Sequence, residues 1–271
     1  MSTKEIAAAL QKAFEHIQFV REPHSYWIGD VRMRGTTRLL SEFQKPFNTE
    51  FWSTYKAFEA SGYVPKYQGN DKEFKVKRSV ITVDSDLAEW KLSVSPEDIK
   101  KEWADKAKAG RDRGTHIHAY LENGWKGEPS SGENIPLLDV FLERKKEEIS
   151  PVALECVVGD ESVNIVGLFD GLFIALDNGR LQLRDTKTDK EIVFNSKYDY
   201  MQFPFEHLED CSFNKYCLQL NIYARILRNV ANIEVDELII DHFDKDLTHN
   251  EYGVPFFNDE MDNLWQLLEK K

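Results

Sequence analysis

Apolar residues recur at helical spacing through Thr3–Gln18 (Ile6, Leu10, Ala13, Phe14, Ile17), which predicts an amphipathic helix. Ser25–Arg34 reads as a hairpin turning at Gly29-Asp30, and Thr36–Ala60 as helix broken at Pro46. Gly62–Trp90 has no clean period; a strand is expected within Phe74–Val83. Ser95-Pro96-Glu97-Asp98 is a strong helix start, with a Ser cap, Pro in the first turn and acids at the positive end of the dipole. That helix is expected to reach Glu122, weakened at Gly110 and Gly114, and to stop at Asn123-Gly124. Pro136–Glu148 is a further helix. The period then becomes alternating, and strands are expected at Val152–Val158, Val163–Leu176 and Leu181–Lys187, joined at Gly159–Ser162 and Asn178-Gly179. A helix at Phe213–Asn229, a strand at Val235–Phe243 and a helix at Asp259–Lys270 close the chain. The expected class is α/β: a mixed sheet with an antiparallel meander, flanked by helices.

The chain has 271 residues and no internal repeat or Pro/Gly-rich linker. We therefore expect one structural domain, with 1–95 an N-terminal helical and hairpin elaboration packed on a core of 96–271. A hydrophobic content of 41% excludes global disorder, and no apolar run approaches the ~20 residues of a membrane span. Met1–Gln18 lacks the apolar core of a signal peptide, and Glu5 and Glu15 argue against a transit peptide. Cys156, Cys211 and Cys217 form neither a CxxC motif nor a disulfide framework, which suits a reducing cytoplasm, of a bacterium or a phage-infected host.

Net charge is −12, from 35 Lys and Arg against 47 Asp and Glu, but it is unevenly spread. Asn232–Lys271 holds eleven acids and three bases, an acidic segment suited to docking a protein partner or a second copy. Lys100–Arg113 is net +3 and Asp71–Arg78 net +2, so a polyanionic ligand is not excluded, because local patches set the field it meets.

A two-residue turn at Asn178-Gly179 would set Asp170 opposite Lys187 and Leu172 opposite Asp185. Asp170, Asp185 and Lys187 would then share one face of the sheet, above an apolar floor of Leu181 and Leu183. An ion pair closing the hairpin would explain them structurally. Alternatively, the two carboxylates bridge a Mg²⁺ or Mn²⁺ ion while Lys187 serves a nucleophilic water. His118 lies one turn from both Gly114 and Glu122, and Gly114 would let the helix approach the sheet and bring the imidazole to the metal. A symmetric turn at Gly159–Ser162 sets Glu155 opposite Val166, roughly 13 Å along the strand from Asp170.

These residues also carry a resemblance. Glu155, Gly167-Leu168-Phe169-Asp170 and Asp185-Thr186-Lys187-Thr188 resemble the PD-(D/E)xK nuclease pattern in its RecB-like, phage-type exonuclease branch. Upstream, Arg113-Gly114-Thr115-His116-Ile117-His118 is similar to that branch's Gly-Thr-x-x-His helix; downstream, Gln219-Leu220-Asn221-Ile222-Tyr223 is similar to its Gln-x-x-x-Tyr helix. Ser25–Arg34 with Gly35-Thr36-Thr37-Arg38 resembles the N-terminal part of such proteins, with Gly35-Thr36-Thr37 in place of the family's Ser-Val-Thr.

The resemblance implies a restriction-endonuclease-like core and metal-dependent cleavage of DNA in recombination, repair or phage DNA metabolism. Its implied metal ligands are His118, Asp170, Asp185, the Thr186 carbonyl and Glu155. Lys187 acts with the two aspartates in catalysis, and Gln219, Tyr223, Arg113, Thr115, Thr188 and Lys190 hold DNA, including a single-stranded end. His116 is the weaker of the two histidines. Three cysteines do not supply the four of the family's iron–sulfur branch, so no cluster is expected, and no GxxxxGK[ST] loop marks an attached motor. Two competing readings remain: a catalytically silent nucleic-acid-binding or assembly protein on the same fold, and a phosphodiesterase of small molecules.

Overall fold

The computed structural model describes residues 1–129, 134–196 and 199–270. They form a mixed α/β protein whose residues group into two compact units, 46–113 and the combination of 1–45 with 114–271. This division differs from the expected boundary at 95/96, because the first helix and hairpin belong with the large sheet.

In the larger unit α1 (Thr3–Phe14) opens on a capping box between Ser2 and Glu5 and buries Ile6, Leu10 and Phe14. It ends four residues earlier than its periodicity suggested, and Gln18–Val20 becomes a strand, β1. β2 (Ser25–Ile28) and β3 (Val31–Gly35) form the expected hairpin, with Ile28 paired to Val31 around Gly29-Asp30. α2 (Thr36–Ser41) follows. The meander is β7 (Ile149–Asp160), β8 (Ile165–Ala175) and β9 (Leu181–Lys187), continued by β10 (Glu237–Phe243) and β11 (His249–Val254). The order is β1-β2-β3-β8-β9-β10-β11, with β7 also paired to β8. β3/β8 and β9/β10 are parallel and the other pairs antiparallel, so the sheet is mixed.

Both faces of that sheet are covered. The main core joins it to α1, α2, α6 (Ser212–Ala231) and α7 (Asn258–Leu268) through residues such as Phe169, Leu172, Leu183, Leu220, Ile226 and Leu264. A smaller core joins Phe243 to Ile117 and Leu121 of α4 (Pro96–Lys126) and to Leu138, Phe141 and Leu142 of α5 (Pro136–Glu148). α4 starts as expected, Ser95 Oγ accepting from Asp98 N at 3.1 Å while Asp98 accepts from Ser95 N at 3.0 Å. It does not stop at Asn123-Gly124. A Cβ on Gly124 would lie 2.2 Å from Leu142 Cδ1, so that glycine permits the α4–α5 contact, and Gly127, at φ +73°, ends the helix instead. Among the described residues no helix is long and apolar enough to cross a membrane.

The smaller unit contains α3 (Thr49–Ala60), a three-stranded sheet of β4 (Lys66–Tyr67), β5 (Glu73–Val76) and β6 (Ser79–Thr82), and the first part of α4. The single strand expected in Phe74–Val83 is thus a hairpin, turned at Lys77-Arg78 with Lys77 at φ +56°. Its core is aromatic: Phe51, Phe58 and Phe74 are fully buried and meet edge to face.

The acidic C-terminal segment is structured, not a free tail; its last residue, Lys271, lies outside the described residues. Much of its charge is answered internally, by Arg184 with Asp241 and Glu251, Arg225 with Asp262 and Arg180 with Glu237. Arg184 is 3% exposed and forks onto Asp241 with two 2.8 Å bonds. Burial alone would raise the Asp241 pKa, but Arg184 and His249 hold it well below its usual value of 3.8. The pair therefore contributes stability that is present above the unfolded pKa and lost as pH falls through the folded one. Arg184→Met is expected to destabilise the fold by about 3–5 kcal/mol at neutral pH, since it strands a buried carboxylate. It should also shrink the loss of stability on acidification; urea melts across pH 3–7 measure both.

Candidate metal and phosphodiester site

The site arises where the large sheet forks. β8 pairs with β9 from Ile174↔Leu181 to Gly171↔Arg184, and pairing stops there. On the same strand Ile165 and Val166 pair instead with β3. Gly167–Asp170 thus keep only β7 as a paired neighbour, and β9 runs on with β10 as far as Lys187. Asp170 and Asp185 are the first residues past the last β8/β9 pair, one on each arm of the fork.

This register corrects both hairpin expectations. The β8–β9 turn has four residues, because Ala175 N donates to Arg180 O and Gly179 N to Ala175 O, each at 2.9 Å. Leu176 N is drawn to Glu148 O at 2.8 Å, and Asn178 caps Arg180 N, so Asn-Gly ends a longer loop. Asp170 is consequently level with Asp185 and not with Lys187. The β7–β8 connection is a short 3₁₀ turn, Glu161–Val163, with Asn164 left-handed, which pairs Asp160 with Ile165. Glu155, flanked by the pairs Leu154↔Gly171 and Cys156↔Phe169, is therefore beside Asp170, not opposite Val166. Its φ of +45° is an unusual backbone for a side chain of this kind, and it occurs where the carboxylate turns toward the fork.

His118, Glu155 and Asp170 each offer a ligand atom, all within 4.8 Å of one another. His118 Nδ1 is 3.3 Å from Asp170 Oδ1, while Asp170 Oδ2 accepts from Thr186 N at 2.6 Å. Thr186 meets Asp170 through its amide; the carbonyl was the expected donor atom. Lys187 Nζ lies 2.5 Å from the buried Asp185 Oδ2 as an ion pair. Nζ donates to Gln219 Oε1 at 3.1 Å, and Gln219 Nε2 donates to Tyr223 OH at 2.9 Å. Tyr223 is only 2% exposed and its ring packs on Gly167, where a Cβ would lie 2.2 Å from Cε1. Gln219 thus holds Lys187 and is itself held by Tyr223.

The electrostatics are those of crowded carboxylates with two cationic neighbours. Burial, with the Asp170 charge, pushes Glu155 up to about 7. Burial also pushes Asp185 up to about 6, although Lys187 opposes it. Burial would lower His118, but the Asp170 charge raises it to about 9, and His118 in return holds Asp170 below its usual value. Lys187 is desolvated yet raised by Asp185 and Asp170, so it is an ammonium at neutral pH.

A cavity of about 640 Å³ opens over the fork, lined by Asp170, Asp185, Lys187, Gln219 and His118 on one side and by Tyr26, Thr36, Arg32 and Arg38 on the other. Arg32 and Arg38 are exposed and escaped the sequence reading, as did Tyr216, whose ring lies 4.6 Å from Lys187 Nζ. Tyr216, Gln219 and Tyr223 stand at i, i+3 and i+7, a stripe that could have pointed to it. Gly114 approaches Thr188 closely, as expected for a helix seated near the sheet: a Cβ there would be 3.1 Å from Thr188 Oγ1. Thr115, His116 and Lys190 are exposed and Arg113 is half-buried; none of the contacts described above reaches them.

The donor set suits a hard divalent cation. It joins one imidazole to several carboxylates, with Asp185 beside them paired to Lys187. A second group, Asp241, His249 and Glu251, has similar spacing but encloses Arg184 and Lys145, which already neutralise it.

No family model matches the chain, and no curated protein matches it. Fifteen chains of solved structures do. One, the crystal structure of SSO0001, is 22% identical over 39% of this chain, with a TM-score of 0.23. The match spans 39% of that chain too.

Gly167→Ala should force the Tyr223 ring aside and destabilise the protein by about 1–3 kcal/mol. Calorimetric melting of this variant against Tyr223→Phe, which keeps the packing and removes only the hydroxyl, separates the steric effect from the hydrogen bond.

Proposed function

We propose that the chain is a metal-dependent deoxyribonuclease of exonuclease type, built on a restriction-endonuclease-like core and acting in DNA recombination, repair or phage DNA metabolism. The observation that carries this reading is the convergence of Glu155, Asp170, Asp185, His118 and Lys187 at the fork of the sheet. The order of the outer motifs, Gly114 to His118 before the fork and Gln219 to Tyr223 after it, supports it.

His118, Glu155, Asp170 and Asp185 would hold Mg²⁺ or Mn²⁺, which polarises a phosphoryl oxygen and lowers the pKa of a bound water. The remaining chemistry belongs to the chain. Lys187, held by Gln219 and lying beside Asp185, keeps its proton and places a positive charge where the pentacoordinate phosphate gains negative charge. Arg32 and Arg38, across the cavity, offer guanidinium forks to the flanking phosphates. Carboxylates alone would repel a phosphodiester, so a site with this many favours a polyanion only when a dication stands between them.

Asp185→Asn and Lys187→Ala are each expected to lower cleavage of end-labelled DNA by about 10²-fold or more, with the melting temperature within a few degrees of the parent. The product ladder from single- and double-stranded substrates also reports end-directed or internal cutting. Wild-type protein that binds DNA but yields no products with either metal would overturn the reading in favour of a silent binding protein.

Metal binding must displace the protons that His118 and Glu155 hold near neutrality. Affinity for Mn²⁺ is therefore expected to rise with pH between about 6 and 9, with net proton release. Titration calorimetry in buffers of different ionisation enthalpy reads the released protons directly.

A further inference from the structure

The smaller unit carries an unexplained arrangement of charge. Residues 46–113 hold 13 Lys and Arg against 12 Asp and Glu, net +1, whereas the rest of the chain holds 22 against 35, net −13. Within that unit the excess lies on the three-stranded sheet. Lys66, Lys72, Lys75, Lys77 and Arg78 are all exposed, and none forms an ion pair among the described residues. The two acids of the segment, Asp71 and Glu73, are half-buried. By contrast, Lys100, Lys106 and Lys108 on α4 are matched to Glu50, Glu102 and Asp112.

Register sharpens the point. Lys66 of β4 pairs directly with Lys75 of β5, and Lys75 faces Val80 of β6. Directly opposed residues have Cβ atoms roughly 4.5–5.5 Å apart, and like charges there are destabilising. A lysine on an edge strand guards against edge-to-edge pairing, which accounts for Lys66 on β4. It does not account for Lys75, whose strand is central. Lys77 and Arg78 sit at the tip of the same hairpin, with Lys77 held left-handed and 5.5 Å over the Tyr63 ring. Tyr67, next to Lys66, pairs with the buried Phe74 and stacks on Trp52 at 5.5 Å, so its ring belongs to the aromatic core face and the opposed lysines stand on the other.

We infer that the outer face of this sheet is a nucleic-acid-binding surface, on which Lys66, Lys75, Lys77 and Arg78 hold the phosphate backbone. Phosphates between opposed lysines turn a mutual repulsion into two attractions and release counterions. The choice of polyanion rests on the nuclease reading; the existence of an anion-seeking face does not.

The test is fluorescence anisotropy of the full chain in EDTA, with a labelled single-stranded oligodeoxynucleotide and its duplex, over a series of salt concentrations. Lys66→Gln with Lys75→Gln is expected to weaken single-strand binding about tenfold and to reduce the log–log salt slope by about 1.5, the share of two phosphate contacts. Its melting temperature should stay level or rise, because the opposed charges are relieved. Lys106→Gln with Lys108→Gln, removing the same charge from paired lysines, should change affinity less than about threefold. Equal losses in the two double variants, an unchanged salt slope, or wild-type binding to anionic vesicles but to neither oligonucleotide would overturn the inference. Metal-dependent cutting is read separately. A chain that shows this binding pattern but never cleaves sinks the nuclease reading alone, and one that cleaves with binding indifferent to the sheet sinks only the inference.

Discussion

The site depends on a strand that loses its neighbour. β8 is paired along its length with β7, but on its other side β9 departs after Gly171 and β3 arrives only at Val166. Over the intervening residues the sheet is open on one edge, inside a region otherwise closed by helices on both faces. Carboxylates in such a gap are desolvated enough to raise each other's pKa and yet reach a cavity. A continuous ladder would have left no opening beside Asp170, and a fully exposed edge would have let water screen the charges. Burial and access coexist only because the two arms diverge there.

The two acidic groups differ in what neutralises them. Asp241, His249 and Glu251 are as closely spaced as His118, Glu155 and Asp170. Around the former, Arg184 and Lys145 supply permanent charge in fixed geometry, and Asp241 is driven well below its usual pKa. That network is finished: its oxygens have donors. At the fork the neutralising charges are a histidine proton and one ammonium, the latter against Asp185, and Glu155 is pushed toward protonation. A set of carboxylates held together by exchangeable protons can trade them for a cation, whereas one held by arginine cannot.

Much of this was legible from the residues, and the failures share a cause. Pro136–Glu148 and Leu181–Lys187 have the expected bounds, the Ser25–Arg34 hairpin turns where Gly29-Asp30 said it would, and Asp170, Asp185 and Lys187 do meet. Local pattern sufficed there because alternation and capping are local. Registers were misjudged because turn length depends on distant contacts. Leu176 is held by Glu148, and Asp160 both caps Ser162 and accepts from Trp265 of the last helix. No window of sequence reports such ties. β11 escaped because its residues, His249, Asn250, Glu251 and Tyr252 among them, serve the charge network and lack an apolar alternation. Gly124 misled for a related reason: the same residue type that ends helices also admits a neighbouring leucine.

The distribution of charge follows from these constraints. The larger unit is net −13, a field that repels a phosphate chain. The 46–113 unit, nearly neutral overall but with its cations unpaired on one sheet, is the place where the chain has left positive charge unspent. Its aromatic core explains how so small a sheet tolerates opposed lysines, since the buried Phe51, Phe58 and Phe74 contribute several kcal/mol against a repulsion of about 1 kcal/mol or less. Stability supplied on the inner face leaves the outer face available for ligand recognition.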